Sequence, residues 1–196
     1  MHTTPPVPLT SLAPGANEVR FSSNGIELSA HLYLPTNFVA ESRYPTIVID
    51  TPNTQVKEQA GADYASRLSR LGYALLVFDH PGFGASGGDV RNWEYTPYSM
   101  TAIRDAISYI RMYAFVDTER FFGLGVCAGG ARMGYTAITD KRLKALATVV
   151  GWFDGESTFF GGVGANHENA SATVAMLESM FDAVQDEYES GAVNEV

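Results

Sequence analysis

The chain has 196 residues, of which 45% are hydrophobic and 18% charged, which suits one globular domain with a full core. Its formal net charge of −9 argues against nucleic acid as a partner, because nucleic acid favours basic surfaces. It shows no polybasic segment, no signal-peptide pattern and no apolar run of about 20 residues, so we expect neither membrane binding nor secretion. The single cysteine cannot form an internal disulfide, so we expect a reducing, cytoplasmic environment.

The first part of the chain predicts an arm followed by a hairpin. Residues 1–16 are rich in proline and carry no periodic pattern, which predicts a flexible arm. Residues 18–22 and 27–34 flank Asn24-Gly25, a dipeptide that is typical of tight hairpin turns.

Strand-like and helix-like segments then alternate. Short apolar runs predict buried strands at 46–50, 73–78, 121–126 and 145–150. Three- and four-residue periodicity predicts helices at about 57–71, 100–110 and 128–139. This order predicts a doubly wound, mostly parallel α/β sheet in a core of residues 17–155. Residues 156–196 are predicted to be a loop followed by an amphipathic helix over 171–189.

The stretch from 120 to 133 contains the strongest candidate for chemistry. An apolar run enters a turn at Cys127, which lies between Gly125 and Gly129, and an Ala-rich helical pattern follows. Such a strand-to-helix turn is strained and crowded, so the positions two residues away from its apex must lack side chains. The next N–H, that of Ala128, would lie at a helix N-terminus, where it can stabilise a thiolate or an oxyanion.

Two other interpretations of this stretch remain open. A lone cysteine in a glycine-rich turn can be a small buried hydrophobe. Residues 123–128 also match the dinucleotide fingerprint G-x-G-x-x-G/A. That fingerprint belongs on the first strand of a βαβ unit, with an acidic residue about 20 positions later, and neither condition is met here.

With these motifs the chain resembles the α/β-hydrolase superfamily, and within it the dienelactone-hydrolase-like enzymes, whose elbow carries cysteine. The likeness covers about residues 18–155 and rests on three places: the loop running into 56–59, the turn 79–88, and 125–130. It implies that Cys127 is the nucleophile and that the backbone N–H groups of Ala128 and Asn53 form the oxyanion hole, with Thr54 as the alternative to Asn53. It also implies hydrolysis of a small-molecule carboxylic ester, lactone or thioester, without a cofactor or a metal ion.

The resemblance also implies partners that we do not find. The family places an acid after its seventh strand and a histidine after its eighth, and no further strand is predicted after Val150. We therefore expect a sheet truncated after about the sixth strand. The chain would be part of a longer hydrolase, a non-catalytic domain that binds an acyl ligand or a protein, or an enzyme with a rewired site. An open sixth strand would favour pairing with a second copy.

Other residues are weaker candidates. His167 and His80 follow predicted strands, as does Asp154, but none of the three is assigned a catalytic role. Asp79 is predicted to hold its own turn through backbone hydrogen bonds. The aromatic residues between 93 and 98 would either line a pocket for an acyl or aromatic group or pack a long loop, and packing is the favoured interpretation.

Overall fold

The computed structural model describes residues 6–154 and the positions 175, 178, 179, 182, 185, 186, 189 and 190. The chain divides into two compact units, Met1–Phe153 and Asp154–Val196. In the second unit the described positions between 175 and 190 are α-helical and exposed, whereas the predicted apolar stripe at 174, 177, 181, 184 and 188 lies outside the described residues. No helix among the described residues combines the length and the apolar character needed to cross a membrane.

The first unit is built on one six-stranded sheet. Its strands are β1 (Gly15–Ser23), β2 (Ile26–Leu34), β3 (Tyr44–Asp50), β4 (Ala74–Phe78), β5 (Val116–Val126) and β6 (Ala145–Val149). Its helices are α1 (Ala60–Ser69), α2 (Thr96–Ile110) and α3 (Ala128–Thr139). The strand order is β1-β2-β4-β3-β5-β6, in which β4, β3, β5 and β6 are parallel and β1 and β2 add an antiparallel hairpin. The predicted fold class is confirmed.

The hairpin forms where the turn signal places it. Asn24 and Gly25 both adopt positive φ angles, 49° and 80°, which is the requirement of a two-residue type I′ turn. Ser23 then pairs with Ile26, and the two nine-residue strands are matched along their whole length.

The sheet is covered on both faces, which explains its uninterrupted apolar strands. Neighbouring residues of a strand point to opposite faces, so Val48 joins one core cluster while Ile47 and Ile49 join the other. The first cluster contains the buried face of α2, including Ile103 and Ile107, and the second contains Ala65 of α1. Parallel strands buried on both faces need apolar residues at every position.

The described part of the N-terminal arm contacts the core. Residues 1–5 lie outside the described residues, but Val7, Leu9 and Leu12 pack against the core and β1 already begins at Gly15. The Val7 N–H donates to the Tyr113 hydroxyl over 3.1 Å. A 3-10 turn at Leu9–Ser11 forms between the prolines, and the apolar residues around it gain by burial.

The four parallel strands end at the same edge of the sheet, which we call the carboxyl edge. Because β3 lies between β4 and β5, the loop after β3 meets the first turn of α3 there. A Cβ atom added to Gly129 would collide with the carbonyl oxygen of Asp50 and lie 2.7 Å from that of Thr51. Backbone of the sheet and backbone of the helix therefore touch directly at Gly129.

We expect Gly129→Ala to lower the free energy of unfolding by about 3 kcal/mol or more, because backbone atoms cannot move aside for the methyl group. Urea denaturation followed by circular dichroism measures this loss. Gly134→Ala in the same helix is the control: its Cβ would lie 3.3 Å from the ring of Phe153, which is 61% exposed and can turn away. Equal losses in the two variants would show that the contact at Gly129 is not limiting.

Candidate active site

Cys127 is the only residue between β5 and α3. Its backbone angles, φ 54° and ψ −122°, are unfavourable for a residue with a side chain. Three hydrogen bonds hold it there: its N–H donates to the Val149 carbonyl, and its carbonyl accepts from the N–H groups of Gly130 and Trp152, each over 2.9 Å. The partly exposed, free thiol is thus presented at the carboxyl edge on a fixed backbone.

The glycines around the elbow are required by close approach. A Cβ at Gly125 would collide with the Gly129 carbonyl and lie 2.5 Å from the Cα of Gly130. A Cβ at Gly130 would lie 2.9 Å from the Cα of Gly151. None of the glycines at 125, 129 and 130 has a positive φ angle. Crowding, and not backbone conformation, therefore requires glycine at these positions.

The two predicted oxyanion-hole residues lie on the loops that meet at this edge. Ala128 is the first residue of α3, where N–H groups have no acceptor within the helix. Asn53 follows β3, and its side-chain oxygen accepts from Arg132 over 2.6 Å. The N–H of Thr54, the alternative to Asn53, donates to Glu94 Oε1 over 2.7 Å. The roles of Cys127, Ala128 and Asn53 stay predictions.

A buried ion pair joins the two loops. It was not identified from the sequence. Arg132 of α3 donates from Nε to Asp50 Oδ2 over 2.8 Å and from Nη2 to the Thr51 carbonyl over 2.7 Å. Its Nη1 reaches Asn53 and lies 3.6 Å from Glu94 Oε2. Arg132 is the only charged residue of α3, which is the one signal in the sequence that could have identified it.

The ionisation of this pair is strongly biased toward the charged forms. Burial raises the pKa of Asp50, but its contacts with His80 and Arg132 outweigh that effect and lower the pKa to about 2. Burial lowers the pKa of Arg132, but Asp50 more than reverses this and the net pKa is raised.

The other candidate bases and acids lie in different environments. His80 is buried and its Nε2 lies 2.5 Å from Asp50 Oδ1, while its Nδ1 has no hydrogen-bond partner among the described residues. His167 lies outside the described residues, and Asp154 is exposed. Asp79 accepts from the N–H groups of Lys57 and Ala85 over 2.6 and 2.9 Å, so its predicted role in the turn is confirmed.

The favoured interpretation was that the aromatic residues between 93 and 98 pack a long loop. In the structure their side chains stay partly exposed. Trp93, Tyr95 and Tyr98 are 53%, 40% and 44% exposed. With Pro81 and Gly82 they line a cavity of about 230 Å³. Exposure of a loop side chain depends on what the loop lies against, which the local sequence does not specify.

The low pKa of Asp50 makes part of the stability acid-sensitive. An Asp whose pKa falls from 3.8 to about 2 on folding contributes about 2 kcal/mol above pH 4, and this is lost as the pH falls through 2. We expect the stability difference between wild type and Asp50→Asn to be constant from pH 7 to 4 and to shrink by that amount toward pH 2.

Urea denaturation at each pH measures the difference. Glu119→Gln removes an exposed carboxylate and serves as the control, whose difference from wild type should change little over the same range. A difference for Asp50→Asn that stays constant down to pH 2 would contradict the assignment.

Comparison with known proteins identifies the family of the chain. Residues 24–195 match the family model described as X-Pro dipeptidyl-peptidase (S15 family). The uncharacterized protein YcjY of Escherichia coli is 36% identical over 137 residues, which are 68% of this chain and 44% of YcjY. The thiohydrolase aneE of Aspergillus aculeatus is 28% identical over 134 residues, 68% of this chain and 41% of that protein. The chain therefore spans less than half the length of both relatives.

Solved structures share the fold. The hypothetical protein PA2218 of Pseudomonas aeruginosa superimposes with a TM-score of 0.80 at 31% identity, covering 95% of this chain and 57% of that one. The α/β hydrolase GrgF of a Penicillium species gives a TM-score of 0.72 at 22% identity, covering 89% and 55%. The chain belongs to the X-Pro dipeptidyl-peptidase (S15) family, since that match includes the elbow and most of the sheet, and it has the fold of an α/β hydrolase.

Proposed function

We propose that this chain carries the acyl-transfer centre of a hydrolase for esters, lactones or thioesters, with Cys127 as the nucleophile. The observation that supports this most directly is the conformation of Cys127, a lone thiol on a strained backbone immediately before a helix N-terminus. Strain maintained by three hydrogen bonds is typical of a functional position.

The chemistry follows from this placement. The Cys127 thiolate attacks the substrate carbonyl, and the oxyanion that forms accepts hydrogen bonds from the N–H groups of Ala128 and Asn53. The proton that the thiol loses on forming the thiolate passes to solvent, the expelled alkoxide or thiolate takes a proton from solvent, and the acyl group stays on sulfur as a thioester. Water then attacks the thioester, which releases the acid and restores the thiol.

The engaged N–H of Thr54 supports Asn53 as the second oxyanion donor. Glu94 already accepts from Thr54, so that N–H is not available to a substrate while the contact persists. Arg132 acts as a positioning residue in this proposal, because it binds the Asn53 side chain and the Thr51 carbonyl at once. It would hold the loop after β3 at a fixed distance from the elbow.

Among the relatives, the name of the thiohydrolase supports the ester class, which includes thioesters. The family description, X-Pro dipeptidyl-peptidase, instead names a peptidase. We propose the ester class because a thiolate nucleophile suits substrates with good leaving groups. The proposed setting is the cytoplasm, where a free thiol stays reduced.

The proposed nucleophile is tested by trapping the acyl intermediate. On incubation with p-nitrophenyl acetate we expect one acetyl group on Cys127, detected by peptide mass spectrometry, and release of p-nitrophenol that falls by on the order of 10³-fold in Cys127→Ala. Because the chain has a single cysteine, any thiol acylation reports on this position.

Circular dichroism of Cys127→Ala controls for folding, and an Xaa-Pro p-nitroanilide tests the peptide alternative. Equal p-nitrophenol release by wild type and Cys127→Ala would reject a Cys127 nucleophile. Turnover of the anilide in preference to the ester would reject the ester class.

A second candidate function is self-association through β6. This strand is the last of the sheet in the described residues, and its residues from Ala145 to Thr148 are exposed. Beside it, Leu146 and Phe122 line an apolar groove of about 410 Å³ with residues of α1. An exposed strand edge next to an apolar surface favours pairing with another chain, here proposed to be a second copy.

We expect sedimentation velocity to show a concentration-dependent dimer across the micromolar range, weakened in Ala147→Lys because a lysine on an edge strand opposes pairing. Ile138→Lys adds the same charge at an exposed position of α3 and should leave the dimer unchanged. A single monomer boundary at all concentrations would reject self-association.

A further inference from the structure

Three aromatic side chains form an exposed stack at the carboxyl edge, which we call the aromatic wall: Trp93, Tyr95 and Tyr98. Trp93 and Tyr95 are stacked with centroids 4.8 Å apart and planes 12° apart. Tyr95 and Tyr98 meet edge to face at 4.9 Å. Ring-to-ring contacts of this kind are normally buried, yet at least two-fifths of each residue is open to solvent beside the 230 Å³ cavity.

The segment before the wall is held by its own hydrogen bonds. Arg91 donates to the carbonyls of Ser86 and Gly84 over 2.6 and 2.7 Å, and the Asn92 N–H donates to the Gly82 carbonyl over 3.1 Å. A Cβ at Gly88 would lie 2.9 Å from the Gly82 nitrogen, so the two parts of the loop are in backbone contact. The cavity is therefore formed before any ligand arrives, which lowers the cost of binding.

The wall lies next to the proposed catalytic centre. Pro81 and Gly82 of the cavity follow β4, and Cys127 follows β5, with β3 between them. The ends of β4 and β5, which lead into Pro81 and Cys127, are two strand spacings or about 10 Å apart. Glu94, between Trp93 and Tyr95 in the sequence, accepts from the N–H of Thr54, the neighbour of Asn53. This hydrogen bond links the aromatic wall to the loop of the proposed oxyanion hole.

We propose that the aromatic wall is the subsite for a flat, neutral acyl group, aromatic or conjugated, of the substrate that Cys127 attacks. This rests on the proposed function and names its substrate class. Flat π systems stack on indole and phenol faces, whereas a saturated group of equal size gains only by burial. The volume is smaller than that of drug-sized pockets and suits one ring with a short chain. Asp89 in the lining disfavours a carboxylate there.

Binding is measured separately from catalysis, in the Cys127→Ala background, by isothermal titration calorimetry. The ligands are trans-cinnamamide, which is flat and neutral, and 3-cyclohexylpropanamide, which is similar in size but not flat. We expect cinnamamide to bind about 3- to 10-fold more tightly, and Tyr95→Ala to remove that preference. Equal affinity for the two amides, or an unchanged preference in Tyr95→Ala, would overturn the proposal.

Two variants separate the ring from the fold. Tyr95→Phe keeps the ring and should retain the preference. Tyr135→Ala removes another exposed tyrosine, on α3 and outside the cavity, and should leave both affinities unchanged. Loss of the preference in either variant would assign it to something other than stacking on the wall.

Kinetics distinguish this proposal from the proposed function. The ratio of kcat/KM for p-nitrophenyl cinnamate to that for p-nitrophenyl acetate should fall about 3- to 10-fold in Tyr95→Ala. Cys127-dependent turnover with an unchanged ratio would reject the subsite and keep the nucleophile. Selective amide binding without acylation of Cys127 would keep the subsite and reject the nucleophile.

Discussion

The buried ion pair between Asp50 and Arg132 is the interaction on which the carboxyl edge depends. It joins the end of β3 to α3, two elements that carry the proposed oxyanion donors, across 82 positions of sequence. Burying two charges is costly, and here further hydrogen bonds to Thr51 and Asn53 offset that cost. Removing Arg132 would leave Asp50 with His80 as its remaining buried partner, and removing Asp50 would take from Arg132 its closest carboxylate.

Close backbone contact complements this pair. The ion pair pulls the helix toward the sheet, and the glycines at 125, 129 and 130 allow the approach, because a side chain at any of them would meet backbone. The ion pair supplies the attraction between α3 and the sheet, and the glycines set the shortest distance that the two can reach. Cys127, which lies at that joint, is thereby fixed relative to the loop after β3.

Local features were predictable from the sequence and long-range ones were not. The Asn24-Gly25 turn and the glycine pattern around Cys127 specify their own conformations, so the hairpin, the alternation of strands and helices and the strand-to-helix turn followed from short segments. The partners of Arg132 and Glu94 lie 38 to 82 positions away, and side-chain pairing at such separations leaves no local pattern. The packing of Val7 and the exposure of Trp93 likewise depend on surfaces that only the folded chain creates.

The elbow constrains the backbone of residue 127 and leaves its side chain free to be thiol or hydroxyl. The choice of thiol exposes this position to oxidation, since a partly accessible sulfur can be oxidised to sulfenic acid. A second cysteine would normally capture that intermediate as a disulfide, and this chain has only one. Reversal would then depend on an external thiol such as a cellular reductant, which ties the lifetime of the centre to the redox state of its surroundings.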